Sequence, residues 1–509
     1  MKTKIFSNIV LTALVLLSAC TNLDEKLYDK VGQDDYGKTE SEIQTIVGGA
    51  YASLRGFNDS DEGGTICYPT CEFVFFLNAC ASDEATIPTR GTDWYDGGRY
   101  QDIQHHQWKI DNILIWSAWK YCYQGIAKVN SIIYQVDQSE LTEGDKNKVK
   151  AELRAVRAYY YYLLLDQFGN VPLTVNFEEE ELPLNSPRAE VFKFVETELI
   201  EVLDLLSPAK SYGRMTQDVA NSLLARLYLN AEVYTGTPRW QDCIDACERV
   251  SASNYSLEPD YFANFKSDNE KSKEIVFAIP YDHKAGTIGN YLASMTYHYN
   301  QKDAFSIDGS YPWCGNGISA QPGLYSSFDE NDVRKKSLLI GEQISLKTGA
   351  TILMDNGNPL IYTEDINNFA NALQNEGARL NKYEVKADDQ WERDNDLVLI
   401  RYAEVLMMKA EASFRLNYTA NALSIVNDLR TRAGIEALAA LTLEDLDNEW
   451  RHEFVFEGIR RTTNVRFGTY FKAWWEKGTT EDYKNIFPIP KNVLSLNPKL
   501  KQNPGYPEN

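Results

Sequence analysis

The side chains best suited to chemistry lie between Asp83 and Trp108, where Arg90, Asp93, Trp94, Tyr95 and Asp96 crowd a stretch that also holds Pro88, Gly91, Gly97 and Gly98. Proline and glycine at that density break regular structure, so the stretch reads as a loop. Sugars present faces of C–H bonds edged by hydroxyls: a Trp or Tyr ring stacks on the face, while Asp, Asn or Arg brackets the edge with hydrogen bonds. Trp94 and Tyr95 beside Asp93, Asp96 and Arg90 supply both kinds of group. The same residues admit a structural reading in which Trp94 plugs a core and Arg90 pairs with Asp93 to hold the loop. A second aromatic stretch runs Tyr297-His298-Tyr299, then Tyr311-Pro312-Trp313-Cys314-Gly315-Asn316-Gly317. Glycines on both sides of Asn316 predict a tight turn presenting Trp313, whose approach Pro312 stiffens. There too the ring has a structural alternative, capping a core beneath a long loop.

Other chemistries find little support. The chain contains no HExxH, no glycine-rich phosphate loop after a strand and no G-x-S-x-G elbow. It carries 73 acids, so a glycosidase pair can always be nominated, but nothing in the spacing selects one. Cys67, Cys71 and Cys80 lack a fourth soft ligand, and with five histidines in the whole chain no metal site and no cofactor is expected. Cys243 and Cys247, four apart on a predicted helix, read as small apolar groups turned inward. A formal charge of -22 repels a phosphate backbone and argues against nucleic acid.

The elements that must position these loops begin after an unusual N-terminus. Lys2 and Lys4 precede an apolar run from Ile9 to Leu17, followed by Leu17-Ser18-Ala19-Cys20. The run is shorter than the about 18 apolar residues of a membrane span and suits a secretory signal. The small residues before Cys20 resemble a bacterial lipobox. Residues 1–19 are therefore expected to be a lipoprotein signal peptide, Cys20 the lipidated residue, 20–38 an anchor and tether, and 39–509 a single composite body. Of the eight cysteines, Cys20 leaves seven, an odd number that implies at least one free thiol unless a bridge is intermolecular.

Within that body helical periodicity dominates. Between Asp396 and Gly434, Ala403, Leu406, Ala410 and Phe414 recur at steps of three and four, as do Ala422, Ile425, Val426 and Leu429, with Asn417-Tyr418-Thr419 between the two sets. Two amphipathic helices packed by small alanines make a tetratricopeptide-like hairpin. Residues 216–251 repeat the pattern, and Lys148 onward with Arg188 to Leu206 suggests a third pair. Four successive tyrosines, Tyr159 to Tyr162, must point all round their helix, which is therefore expected to be sandwiched. Gly48-Gly49 is expected to interrupt the helical pattern of residues 41–54. The fold class is thus mostly α, with helical hairpins mainly in 104–251 and 396–434. The turn-rich stretch 255–380, where 274–279 is the strand candidate, supplies an irregular, loop-rich ligand-binding face.

Taken together, several motifs resemble the SusD/RagB family of surface glycan-binding lipoproteins. They are the lipobox at Cys20, Ser82-Asp83-Glu84, Asp93-Trp94-Tyr95-Asp96-Gly97-Gly98, Arg154-Ala155-Val156-Arg157-Ala158-Tyr159, Phe168-Gly169-Asn170-Val171-Pro172, Arg401-Tyr402-Ala403-Glu404, Glu457-Gly458-Ile459-Arg460, and the tail Phe487-Pro488-Ile489-Pro490 with Asn503-Pro504-Gly505-Tyr506. The resemblance implies a non-catalytic protein with tetratricopeptide-like pairs. It would be held at the cell surface on the outer membrane, bind an oligosaccharide or polysaccharide, and partner a SusC-like TonB-dependent transporter. It also implies that the ligand residues lie in the segments matching Asp83 to Trp108 and Tyr297 to Trp313. The candidates are then Asp83, Arg90, Asp93, Trp94, Tyr95, Trp108, Tyr297 and Trp313. A peptide-binding or structural surface lipoprotein on the same scaffold is the alternative, and a glycoside hydrolase a further one. Arg461-Thr462-Thr463 departs from the Asp-Leu pair that often follows this Arg460 motif, and is expected to alter local packing.

Overall fold

The computed structural model describes residues 39–59, 65–67, 69–178, 181–282, 284, 289–305, 314–386, 389 and 393–507. Residues 1–38, which hold the expected signal peptide, Cys20 and tether, and Trp313 lie outside the described residues, as do the side chains of Cys67 and Cys71.

Helix α1, Glu40–Ser53, starts at a capping box in which the Thr39 hydroxyl accepts from Glu42 N–H and the Glu42 carboxylate accepts from Thr39 N–H. It runs unbroken through Gly48-Gly49, contrary to the expected interruption. A Cβ on Gly49 would meet Lys128 Cε at 3.4 Å, so the bare backbone lets α1 lie close on α2, and packing offsets the helix cost of the glycines. Helix α2, Ile113–Gln138, is capped by Asn112, and α3, Glu143–Gln167, by Thr142. The tyrosine run behaves as its spacing predicts, with Tyr159 to Tyr162 all buried. Tyr160 stands against Gly125 of α2, where an added Cβ would lie 2.1 Å from the ring. Its hydroxyl shares a hydrogen bond with Ser53 of α1, so three helices are keyed together at one phenol.

The remaining scaffold helices are α4 (Arg188–Val202), α5 (Gln217–Leu229), α6 (Trp240–Arg249), α7 (Tyr402–Arg415) and α8 (Thr419–Ala433). Neighbours pack in sequence order from α1 to α4 and again from α5 to α8, each helix covering the apolar face of the last. The hairpins read at 216–251 and after 402, and the pair formed by α3 with α4, are all present. Cys243 and Cys247 are buried between α6 and its neighbours. On α7 the buried stripe runs through Ala403, Met407 and Ala410, while Leu406 and Phe414 are only partly buried. Two shorter helices follow, α9 (Leu443–Glu453) and α10 (Arg460–Phe467), the second closing at Gly468 with φ +70°. No described helix is long and apolar enough to cross a membrane.

The residues just before α7 depart from the helical reading. Leu397–Arg401 is a strand, paired antiparallel with Ile275–Ile279 so that Leu397 faces Ile279 and Arg401 faces Ile275. Both strands are wholly buried, and a continuous aliphatic run of this length suits a strand covered on two faces. Arg401 ends the strand in the core, bonded to Glu274 at 2.7 Å, Glu453 at 2.6 Å and Glu457 at 2.7 Å. Arg334 and Arg432 also pair with Glu453, Arg432 with Glu274, and Lys382 with Glu457 at 2.7 Å. The Arg-Tyr-Ala-Glu and Glu-Gly-Ile-Arg motifs are thus halves of one buried ion-pair network joining the loop region to α7, α9 and the turn after it. Replacing a member leaves its partners buried and uncompensated, at a cost of about 3–5 kcal/mol. At the departure from the family pattern, Arg461 and Thr462 both bond the Asp166 carboxylate at the end of α3, at 3.0 and 2.8 Å.

Residues 255–380 contain, among the described residues, short 3-10 turns and strands but no α-helix. Two small pairings tie the irregular segments down: Ala85–Thr86 with Ser319–Ala320, and Leu338–Leu339 with Arg379–Leu380. The first fixes the base of the 87–98 loop to the loop-rich region.

Candidate functional site

The loop carrying Trp94 is shaped by its backbone. Arg90 and Asp93 exchange backbone hydrogen bonds of 3.0 and 3.1 Å, and Gly91, Trp94, Asp96, Gly97 and Gly98 all have left-handed φ. For Gly91, Gly97 and Gly98 that conformation is free of penalty. Trp94 at φ +63° and Asp96 at φ +41° bear a strain of about 1–3 kcal/mol each, which the surroundings must hold. For Trp94 they do so visibly. Its indole Nε1 donates to Gly315 O at 2.7 Å, its ring tilts against Tyr100 at 5.6 Å, and it lies on Gly317 so closely that a Cβ there would sit 2.5 Å from Cε2 and Cζ2. The glycines around Asn316 therefore seat the Trp94 ring. The 315–318 backbone is itself zipped to 294–297 through Gly315 N–H to Ser294 O, Asn316 N–H to Tyr297 O and Gly317 N–H to Met295 O, at 2.7 to 2.8 Å. Trp94 is left partly exposed on a rigid bed, and Tyr95 beside it is 54% exposed.

Asp93 is exposed, and its carboxylate accepts the phenol hydrogen bond of Tyr299. Partial burial, then the hydrogen bond and charge of Asp93, raise the Tyr299 pKa, so the phenol keeps its proton and acts as donor. His298 Nδ1 accepts from Asn300 N–H at 3.1 Å, which leaves Nε2 to donate to Gln374 Oε1 at 3.0 Å. Burial keeps this imidazole neutral by lowering its pKa. Asn300 in turn donates to Leu353 O at 2.8 Å and to Asp355 at 3.2 Å. Four segments remote in sequence, around residues 93–95, 298–300, 353–355 and 374, are thereby joined on one face. Tyr299 was not among the candidate residues although its neighbour Tyr297 was. Tyr297 and His298 are both buried, and the chain enters a 3-10 turn at Tyr299–Ala304, so the tyrosine leaves the core at a turn that the residue types alone do not mark.

The other described candidates are engaged by partners within the protein. Arg90 is buried, and its guanidinium donates to Leu373 O, to Ser319 Oγ at 2.8 Å and to Glu376 O at 2.7 Å. It does not bridge to the Asp93 carboxylate. Arg379 shares Ser319 Oγ and Glu376 O with it, so the two cations clamp the loop ends from beneath, while burial and mutual repulsion push the Arg90 pKa down. Tyr297 is fully buried against Phe305 and donates to Asn381 at 2.7 Å. Trp108 is 4% exposed, packed on Phe487 and His106, with its Nε1 donating to Tyr506. It docks the C-terminal Pro-Ile-Pro and Asn-Pro-Gly-Tyr segments onto the body. Asp83 bonds Arg460 at 2.6 and 3.0 Å; burial works to raise its pKa, but the charges of Arg460 and Arg451 outweigh it and hold the carboxyl well below the usual range. Each of these residues is polar or aromatic because the interior needs partners or volume there. Loop composition cannot separate that need from ligand contact.

What stays open to solvent here is the exposed Tyr95 and Asp93 with the half-buried Trp94 and Tyr299, the last tied to the Asp93 carboxylate. Such an arrangement can stack on an apolar ring face and accept hydrogen bonds from hydroxyls around it. Among the described residues no group of three or more His, Cys, Asp or Glu could hold a metal ion.

Comparison with known proteins bears on the whole chain. The family model described as "SusD family" matches residues 240–506, and the model described as "Starch-binding associating with outer membrane" matches residues 80–229. The starch-binding protein SusD of Bacteroides thetaiotaomicron is 27% identical over 444 residues, which are 77% of this chain and 78% of that protein. Among solved structures, a laminarin-binding SusD-like protein superposes with a TM-score of 0.73 at 23% identity, covering 92% of this chain and 100% of the other. Surface glycan-binding protein A from Bacteroides thetaiotaomicron gives a TM-score of 0.75 at 21% identity, again covering 92% and 100%. These structural matches establish a shared fold.

Proposed function

Because this chain belongs to the SusD family, we propose that it is a surface lipoprotein that captures oligosaccharides and delivers them to a TonB-dependent transporter of the outer membrane, without catalysis. The observation that carries this reading is the group of Trp94, Tyr95 and Tyr299, of which the Trp94 and Tyr299 rings are held in place before any ligand arrives. Rings with little freedom left to lose bind at a lower entropic cost, which suits capture of a flexible, weakly held chain. Starch-binding and laminarin-binding relatives support a carbohydrate as the cargo. The lipobox ending at Cys20 supports an anchor at the membrane, with residues 20–38 as tether and the rest as one body.

The test is a calorimetric screen of the chain from Thr21 onward against α-glucans, β-glucans and other plant, host and microbial polysaccharides. Saturable binding that is lost in Trp94→Ala and Tyr95→Ala is expected. Binding that survives both substitutions would overturn the site. Anchoring is tested separately. Cys20→Ala should abolish lipid labelling and release the protein from the membrane fraction, whereas unchanged labelling would refute the lipobox. Recovery of a large barrel transporter with the tagged protein in mild detergent is expected, and a strictly monomeric profile from membranes at low salt would count against that partnership.

A further inference from the structure

The hairpin beside Tyr299 is built to hold its tip still. Three short extended segments, 341–345, 350–354 and 358–362, exchange backbone hydrogen bonds: Ile352 N–H to Gln343 O, Leu360 N–H to Ile352 O and Gln343 N–H to Leu360 O, at 2.7 to 3.0 Å. Alternate side chains of the last two turn inward, so Ile352, Met354, Leu360 and Tyr362 bury together. From that small core the Tyr362 hydroxyl accepts from His298 N–H at 2.8 Å and donates to Gln301 Oε1 at 2.7 Å, which fastens the hairpin to the turn carrying Tyr299. The tip, Asp355-Asn356-Gly357-Asn358, is closed by Met354 N–H to Asn358 O at 2.8 Å, and Gly357 supplies the left-handed residue, φ +80°, that so tight a turn needs. All four tip residues are exposed.

This tip is held against the Trp94 face. Asn300 donates to Leu353 O at 2.8 Å and to Asp355 Oδ1 at 3.2 Å. The Asp355 carboxylate therefore stands beside the neighbour of Tyr299, as the Asp93 carboxylate from the other loop stands at the Tyr299 phenol. Partial burial and the Asp93 hydrogen bond raise the Tyr299 pKa, and the charge of Asp355 adds to them, which marks the second carboxylate as close to the same ring. With Oδ1 given to Asn300, Oδ2 is left to accept from a ligand hydroxyl. Because the tip is fixed beforehand, little freedom is lost when it does so. We infer, resting on the reading of this face as a sugar site, that Asp355 is a further edge of that site: a chain stacked on Trp94 and Tyr95 continues past Tyr299 and donates a hydroxyl hydrogen bond to Asp355. A single sugar seated on Trp94 does not extend past Tyr299 to the hairpin, so the site selects oligosaccharides by length.

The test titrates four probes, maltose, maltohexaose, laminaribiose and laminarihexaose, calorimetrically into the full-length protein in mild detergent and into its Asp355→Ala variant. The parent is expected to bind a hexasaccharide at least about ten-fold more tightly than the matching disaccharide. Asp355→Ala should lower hexasaccharide affinity about ten-fold, the effect of one hydrogen bond to a charged group, and disaccharide affinity far less. Its melting temperature should match the parent's, since the side chain is exposed. Hexasaccharide affinity unchanged in the variant would overturn the inference. Equal losses at both lengths would overturn it too, by showing that Asp355 only positions Tyr299 through Asn300. So would a lowered melting temperature, which would make the tip structural, or a parent that binds both lengths equally. Each of those outcomes leaves the carbohydrate reading standing, whereas a parent that binds none of the four sugars would remove both.

Discussion

Tyr299 donates its phenol hydrogen bond to the carboxylate of Asp93, a residue 206 positions earlier in the chain. That single bond pins the loop bearing Trp94 and Tyr95 to the loop-rich region. Tyr299→Phe keeps the ring and removes the bond, which reaches the ligand only through the position of the loop, so affinity is expected to fall by no more than about ten-fold, less than a direct hydrogen bond to a charged group would give. Tyr299→Ala also loses the stacking surface and is expected to fall by about ten- to a hundred-fold. Calorimetric titration of both variants with the same oligosaccharide checks the order; equal losses would assign everything to the hydrogen bond and nothing to the ring.

Trp94 and Trp108 should separate cleanly. Trp94→Ala and Tyr95→Ala are expected to weaken ligand binding while shifting melting by no more than a few degrees. Trp108→Ala removes a ring buried against Phe487 and should cost about 3–5 kcal/mol of stability, with the affinity of the folded fraction retained. Thermal melts run alongside titrations decide it, and a Trp94→Ala variant that melts early yet binds normally would remove that residue from the site.

Gly317→Ala tests whether the bed beneath Trp94 matters. The added methyl would lie 2.5 Å from the indole, so the ring must tilt and lose its bond to Gly315. Reduced affinity together with a changed tryptophan near-ultraviolet circular dichroism signal is expected. A variant indistinguishable from the parent in both would show that the ring is not held as described.

Glu84 gives a pH dependence with a definite sign. It is buried, and burial, outweighing a backbone hydrogen bond from Phe456 and the charges of Arg460 and Lys382, raises its pKa from 4.5 to about 8. Below pH 4.5 folded and unfolded states both hold the proton. As pH rises toward 8 only the folded state keeps it, so the unfolded state gains by ionising and stability falls through that window. Asp396, raised to about 6 by burial, adds a slope of the same sign only up to about 6. Denaturant titrations between pH 6 and 8 should therefore show a decline that Glu84→Gln flattens. An equal decline in the variant would mean that Glu84 is ionised in the folded protein.

Arg401→Met leaves Glu274, Glu453 and Glu457 facing one another in the core with fewer cations among them. A loss of about 3–5 kcal/mol is expected, measured by denaturant unfolding at neutral pH. A variant as stable as the parent would mean that Arg334, Arg432 and Lys382 suffice for those carboxylates.

By itself the amino-acid sequence determined the helical scaffold. The three-four spacing of small and apolar residues in 216–251 and 402–434, and the tyrosine run at 159–162, are local statements of which faces must be covered, and the helices pack as those faces require. It also determined that residues 87–98 leave regular structure, because glycine and proline act on their own backbone. Gly48-Gly49 and Leu397–Arg401 already needed more: a glycine pair stays helical only when a neighbouring helix lies close, and an aliphatic run becomes a strand only when Ile275–Ile279 lies beside it. Which candidate side chains stay exposed was decided almost wholly by tertiary structure. Asp83, Arg90, Trp108 and Tyr297 have the same chemistry as ligand contacts, yet each is taken up by a partner far away in the chain: Arg460, Ser319, Tyr506 and Asn381. Exposure is the residue of all the packing around a side chain, and no local pattern of residue types encodes it. For that reason Tyr299 came to the surface while Tyr297, two positions away, went into the core.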